Sequence, residues 1–194
     1  MRYCAAIAEK MEIGPKQSEM LRHAAMIHDI GKIGIPDAIL DKPGKLTDDE
    51  RLIIEQHPVI AVHILDKMSF LDQEIAIIRH HHEKWSGKGY PDGLAGDQIP
   101  VGARIMAVAD TFDALTSNRS YHESRSAGEA LNIITGLAGK DFDPEVVNAM
   151  TSWVQGVALL HGSIDQLTPE HLLETGDIGD SIQALAVAAT SPSK

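Results

Sequence analysis

The sequence predicts an all-α fold, a helical bundle, on three observations. Hydrophobic residues make up 43% of the chain but aromatics only 4%, so the core must be built from Ala, Ile, Leu, Val and Met. Sandwiches and barrels draw more heavily on β-branched and aromatic residues. Apolar residues recur at helical spacing, as in Tyr3–Ile7–Met11 and Leu71–Ile75–Ile78, with no convincing strand pair and no internal repeat.

In chain order, residues 1–13 read as a helix that Gly14-Pro15 closes, and Pro15 suits the first position of the next helix. That helix is expected to run to about Ile30, where Gly31 ends it. Residues 33–46 read as loop, with Gly34, Pro36, Pro43 and Gly44. Thr47 caps a helix whose first turn carries Asp48, Asp49 and Glu50, as the helix dipole favours. Pro58 is expected to interrupt, with helical stretches over residues 59–68 and 70–84 beyond it. Residues 85–100 hold Gly87, Gly89, Pro91, Gly93, Gly96 and Pro100, which makes a shaped loop. Residues 101–117 form a helix that is almost uncharged at its centre and so belongs in the core. Helices over about 126–138 and 144–160 follow, the second opened by a cap and a proline, Asp143-Pro144. A short helix beyond Thr168 and a loosely ordered tail, 186–194, complete the reading.

With 194 residues the chain is long enough for one substantial core. No apolar run approaches the ~20 residues that span a bilayer. The N-terminus has no signal-peptide pattern, so a soluble, cytoplasmic chain is expected, and the single cysteine, Cys4, fits a reducing compartment. The formal net charge is −11, and residues 141–194 carry eight acids against one base, Lys194. Such a chain is a poor partner for duplex nucleic acid or anionic lipid. A small phosphate ligand is compatible if bound cations invert the sign locally.

Ten histidines are the unusual count, and their placement is informative. His28-Asp29 continues the face of Leu21, Ala24 and Ala25; His57 follows Ile53 and Ile54; His81 follows Ile77; His82 extends Leu71, Ile75 and Ile78; Asp110 follows Met106. Taken singly, each has an ordinary structural explanation: a hydrogen-bonded core pair, a helix-end cation, a solvated patch. Taken together, so many polar groups at core-facing positions are satisfied at once by a metal cluster. Four imidazoles and two carboxylates without thiolate argue against a structural zinc knot and suit iron, manganese, or catalytic zinc or nickel. Six ligands exceed what one open catalytic ion uses, so two ions sharing a carboxylate are expected, a pair able to drive hydrolysis of a phosphodiester. Lys32, three residues past Asp29 between Gly31 and Gly34, is expected over the same site.

These residues fall in an ordered series: His28-Asp29-Ile-Gly-Lys32-Ile-Gly-Ile-Pro36, Lys42-Pro-Gly-Lys-Leu-Thr47, His57-Pro58, His81-His82-Glu83, Gly89-Tyr90-Pro91, Ala103-Arg-Ile105 and Asp110-Thr-Phe-Asp113-Ala-Leu-Thr-Ser117. Over residues 1–150 the series closely resembles the HD-GYP domain, the bacterial branch of the HD metal-dependent phosphohydrolases. Residues 151–194 are left as a C-terminal helical extension and acidic tail. The resemblance implies an HD-domain helical bundle with a GYP loop between helices. It implies hydrolysis of cyclic di-GMP to linear pGpG or GMP by a metal-activated hydroxide. It places the metal ligands at His28, Asp29, His57, His81, His82 and Asp110, with Asp29 as the bridge and Lys32 beside the metals. It places substrate contacts at Tyr90, Asp113 and Arg119.

Alternatives stay open: a catalytically weak signalling module that binds a GGDEF-domain or adaptor partner, a homodimer, or a phosphodiesterase for another cyclic dinucleotide. Departures from the family pattern sharpen these. A further first-helix histidine of the family would lie upstream of residue 1. The usual Trp-Asp-Gly is Trp85-Ser86-Gly87, a usual glycine is Ala61, and a usual basic residue is His122. Weaker metal or phosphate binding is the expected consequence. His23, His63, His161 and His171 are read as structural or surface residues, and His80 as a neighbour of the ligands.

Overall fold

The computed structural model describes residues 2–117, 124–168 and 171–172. Among them there are α-helices and short 3-10 turns but no strand, only isolated bridges between Ser86 and Ala95 and between Ala138 and Phe142. The α-helices are α1 (Arg2–Lys10), α2 (Pro15–Ile27), α3 (Asp37–Leu40), α4 (Asp48–Ile54), α5 (His57–Leu65), α6 (Asp72–His80), α7 (Val101–Thr116), α8 (Ala127–Gly136) and α9 (Pro144–His161).

Helix α7 is the axis of the bundle. Gly102, Ala103, Ile105, Met106, Val108, Ala109 and Phe112 are all buried along it, and α1, α2, α6, α8 and α9 pack around it. Such a wide apolar surface fits a helix covered on several sides. Tyr3 of α1 meets Phe112 and Trp153 edge-on, with ring centroids 5.2 and 5.8 Å apart, and so joins α1 to α7 and α9. Burying one such apolar side chain contributes roughly 1.5–3 kcal/mol. The boundary expected at residue 150 falls inside α9, whose buried Val146 and Met150 share one core with Trp153, Val154 and Val157.

The caps match the sequence. Thr47 accepts from the Glu50 amide while the Glu50 side chain returns to the Thr47 amide, a reciprocal capping box. Asp143 caps α9 by accepting from the Glu145 amide, and its buried carboxylate also accepts from Arg104 at 2.8 Å.

Four boundaries differ from the sequence reading, and each difference shapes the site. Helix α2 stops at Ile27, not near Ile30, and the chain tightens into a 3-10 turn at Ile30–Gly34. A Cβ at Gly31 would run into the His57 carbonyl and lie 2.6 Å from the Ala61 amide nitrogen, so this turn is pressed onto α5 backbone to backbone. Pro58 does not interrupt a helix; it lies in the first turn of α5, where its missing N–H costs nothing. The segment expected as loop contains the one-turn helix α3. The helix expected over residues 70–84 is a 3-10 turn, Ser69–Leu71, followed by α6, which ends at His80. His81 and His82 therefore stand on its exit.

The loop after α6 is fastened to the segment between α8 and α9. Trp85 and Ser86 donate backbone hydrogen bonds to the Asp141 and Lys140 carbonyls, and Lys84 pairs with Asp141 at 2.8 Å. The short helix expected beyond Thr168 and the C-terminal tail lie outside the described residues, apart from His171 and Leu172.

Candidate metal centre

Three imidazoles are oriented by one local device. The Nδ1 atoms of His28, His57 and His81 lie 3.1, 2.8 and 2.6 Å from the carbonyl oxygens of Ala25, Ile54 and Ile78, each three residues upstream. A carbonyl only accepts, so each Nδ1 carries a proton, and in the neutral tautomer Nε2 is bare and turned inward. His57 and His81 bring those atoms to 3.4 Å from one another. The Asp29 carboxylate sits between two of the rings, with Oδ1 3.6 Å from His57 Nε2 and Oδ2 3.6 Å from His28 Nε2. Lys32 Nζ lies 2.6 Å from Asp29 Oδ2.

Donor atoms of His57, His81 and His82 lie within 4.8 Å of one another, and so do those of His28, Asp29 and His81. Both groups could hold an ion. Electron-pair donors that converge without intervening protons fit a bound cation, and nitrogen with carboxylate oxygen suits a divalent transition ion. Burial favours the same protonation state: it pushes His81 down to about 3 and His82 down to about 2, and it lowers His57 as well. Burial alone would raise Asp29, but the Lys32 hydrogen bond, with His28, the Lys32 ammonium and His57 close by, outweighs it and holds the carboxyl below its usual range.

Asp110 belongs to neither tight group among the described residues. It stands on α7 between two cavities, one lined by His81, His82, Thr111 and Asp141 and the other by His28, Cys4 and Asp113. Asp113 is exposed and opens onto the second of these. Tyr90 stacks on His82, with ring centroids 4.9 Å apart and planes inclined by 28°. Burial, with Glu55 and Asp29 nearby, pushes its phenol above the ordinary value, so it stays protonated. Arg119 and His122 lie outside the described residues.

The structure brings His28, Asp29, His57, His81 and His82 together, but not always for the reason the periodicity suggested. Ile53 is 40% exposed, so His57 does not extend a buried face of α4; it is buried on α5 beside Pro58 and Ala61. His82 does not extend the α6 face either: the helix has ended, and the buried position falls to His81. His23 pairs with the buried Glu74 at 3.2 Å, and His161 stacks on His171.

A third group of donors, His80, Glu83 and Asp92, was not legible in the sequence. Arg79 donates to both oxygens of Asp92 at 2.7 Å, and Glu83 accepts from the Asp92 amide at 2.8 Å. Through Asp92 and Glu83 Oε1 this group fastens α6 to the following loop, while Glu83 Oε2 and His80 Nδ1 are buried without a hydrogen-bond partner among the described residues. Arg79 and Asp92 are thirteen residues apart across an irregular segment, where no periodicity links them.

Residues 1–146 match the model of the HD domain family. The chain belongs to the HD domain family. The Gly89-Tyr90-Pro91 loop marks its HD-GYP branch. Among curated relatives, the HD domain is 43% identical over 146 residues to a cyclic di-GMP phosphodiesterase response regulator, RpfG, of Xanthomonas campestris pv. campestris. That match covers 74% of this chain and 39% of the relative. It is 37% identical over 160 residues to a 3'3'-cGAMP-specific phosphodiesterase 2 of Vibrio cholerae, covering 81% of this chain and 31% of the relative. The chain thus spans well under half the length of these proteins. An HDG"Y"P protein from Bdellovibrio bacteriovorus has the same fold, with a TM-score of 0.62 at 23% identity over 79% of this chain and 50% of that one. No helix among the described residues is long and apolar enough to cross a membrane.

Proposed function

We propose that this HD domain is a metal-dependent phosphodiesterase that hydrolyses cyclic di-GMP to linear pGpG or GMP. The observation that carries the reading is the Asp29 carboxylate, with one oxygen toward His57 and the other toward His28, each at 3.6 Å. A carboxylate whose two oxygens each face a different nitrogen donor suits a bridge between two ions. His28 with Asp29, and His57 with His81 and His82, would hold them, with Asp110 completing the set from α7. Iron or manganese suits these nitrogen and oxygen donors, with zinc or nickel as the alternative, and affinity ordering alone does not choose among them. When bound, two such ions lower the pKa of a shared water and offset charge on the phosphodiester.

The chain's own groups supply the rest. The bare Nε2 atoms need no proton loss before binding, which suits a site working near neutral pH. The Lys32 ammonium, held against Asp29, can donate to a phosphate oxygen and keeps the bridging carboxylate ionised. Guanine recognition by Asp113 is supported by the cavity it shares with Asp110 and His28, since a carboxylate accepts from guanine's donor edge. Tyr90 and Arg119 are proposed as further substrate contacts.

Metal analysis of the purified chain, together with turnover of cyclic di-GMP under iron and manganese, tests the reading, with Asp29→Ala as control. Two bound ions and turnover, both lost in the variant, support it. A chain that binds two ions yet leaves cyclic di-GMP intact would refute it. The likeness to a 3'3'-cGAMP-specific enzyme supports a second reading that keeps the reaction and changes the dinucleotide. Relative kcat/KM for cyclic di-GMP and 3'3'-cGAMP decides between them.

A further inference from the structure

His82 differs from the other three imidazoles. His28, His57 and His81 each have Nδ1 tied to a carbonyl three residues upstream. The His82 ring has no hydrogen bond among the described residues, although it stands in the same donor group as His57 and His81. Its orientation comes from packing. Its ring centroid lies 4.0 Å from that of His81 and 5.0 Å from that of His57, and the Tyr90 ring is stacked on it at 4.9 Å with the planes inclined by 28°.

Tyr90 is itself fixed against the segment that bears His82. Its amide donates to the His82 carbonyl at 3.3 Å. Gly89 permits this approach: a Cβ there would collide with the Lys84 amide nitrogen and come within 2.5 Å of Glu83 Cα. Two residues beyond Tyr90, the Asp92 amide donates to Glu83 Oε1 at 2.8 Å, and Glu83 is only 3% exposed. Arg79, one turn back on α6, grips both oxygens of Asp92. The Gly-Tyr-Pro loop is therefore bonded at three points to residues 79–83.

We infer that Tyr90 is a positioning residue for a metal ligand: its ring orients His82 by stacking, where a backbone carbonyl orients His28, His57 and His81 by a hydrogen bond. Arg79, Glu83 and Asp92 hold the loop so that the ring stays in place. The inference rests on the reading of His82 as a ligand, and it gives the loop a role at the metals in addition to any contact with substrate. It also explains why a flat residue follows Gly89. A ring can lie along an imidazole face and restrict its rotation, whereas a branched aliphatic side chain meets that face at few points. Loss of a group that orients a ligand typically weakens metal binding by about 10–100-fold.

The test compares wild type, Tyr90→Phe and Tyr90→Leu as full chains loaded with cobalt(II), whose visible bands report ligand geometry. Affinity is measured by competition with a chromogenic chelator. Tyr90→Phe keeps the ring and is expected to keep the cobalt spectrum and both affinities. Tyr90→Leu is expected to weaken one of the two ions by about tenfold or more and to shift the visible bands, with the other ion little changed. Should Tyr90→Leu fail to fold, Tyr90→Met keeps the bulk without the flat face and takes its place. An unaltered spectrum and affinity in the ring-deleted chain overturns the inference, as does an equal loss in Tyr90→Phe; either leaves the proposed phosphodiesterase standing. A wild-type chain that binds no cobalt overturns both.

Discussion

His57 and His81 face one another with their Nε2 atoms 3.4 Å apart, and each ring is locked by a carbonyl three residues before it. Two neutral imidazoles in this relation gain nothing from each other, since both present lone pairs. A cation between or beside them turns that juxtaposition into binding energy. Wild-type protein is therefore expected to gain about 2.7 kcal/mol of stability for each bound ion at a metal concentration a hundredfold above Kd. His81→Ala should lose most of that gain and at least one ion per chain. Calorimetric melting with and without metal, beside elemental analysis, measures both, and a variant with full metal content would sink the assignment.

Lys32 presents a separable prediction. Its ammonium lies 2.6 Å from Asp29 and is about half exposed, so it touches the site without lying among the imidazoles. Lys32→Met is expected to retain both ions yet to lower kcat by about a hundredfold, the usual effect of removing one donor to developing charge. A variant with normal kcat and raised KM would assign Lys32 to ground-state binding of the phosphate instead.

Much of this was legible in the sequence, for definable reasons. Tyr3, Ile7 and the α7 residues reveal themselves by period, because a helix repeats its buried face locally. Thr47 and Asp143 reveal themselves as caps, because the orphan amides of a helix start select few side chains. The 3-10 turn at Ile30–Gly34 was not legible, since what tightens it is its contact with α5, some thirty residues away. The same holds for His57, whose burial is set by α5 and not by the preceding Ile53. The Arg79–Asp92 pairing and the stacking of Tyr90 on His82 depend on a loop path that composition marks only as irregular.

The contact at Gly31 gives a test of that long-range packing. Gly31→Ala adds a methyl that meets the His57 carbonyl and the Ala61 amide, and backbone cannot swing aside as a side chain can. A loss of about 1–3 kcal/mol is expected, as for overpacking generally, with metal content reduced because Asp29 must move relative to His57. Gly136→Ala is the control: nothing lies within 4 Å of a Cβ there and the residue is helical, so stability should not fall. Chemical denaturation of the two variants side by side measures the difference; equal stabilities would mean that the turn is not pressed onto α5.

The metal-free protein should also show a pH dependence that the buried imidazoles dictate. His81 is pushed down to about 3 and His82 down to about 2, chiefly by burial, whereas an imidazole in the unfolded chain titrates near pH ~6.5. Below pH ~6.5 the unfolded chain takes up protons that the folded chain refuses, so the unfolded state binds more protons and stability rises with pH. This contribution is fully present above pH ~6.5 and is lost as the pH falls toward the folded values. At pH ~5 the expected loss is up to about 2 kcal/mol for each of the two rings. Asp29 does not confound the comparison: its folded value is lowered, so its own contribution persists at pH ~5 and fades only as the pH falls below the ordinary carboxylate range. Urea denaturation of chelator-treated protein at pH ~7.5 and ~5 measures the change, and equal midpoints would show that His81 and His82 take up protons in the folded chain as readily as in water.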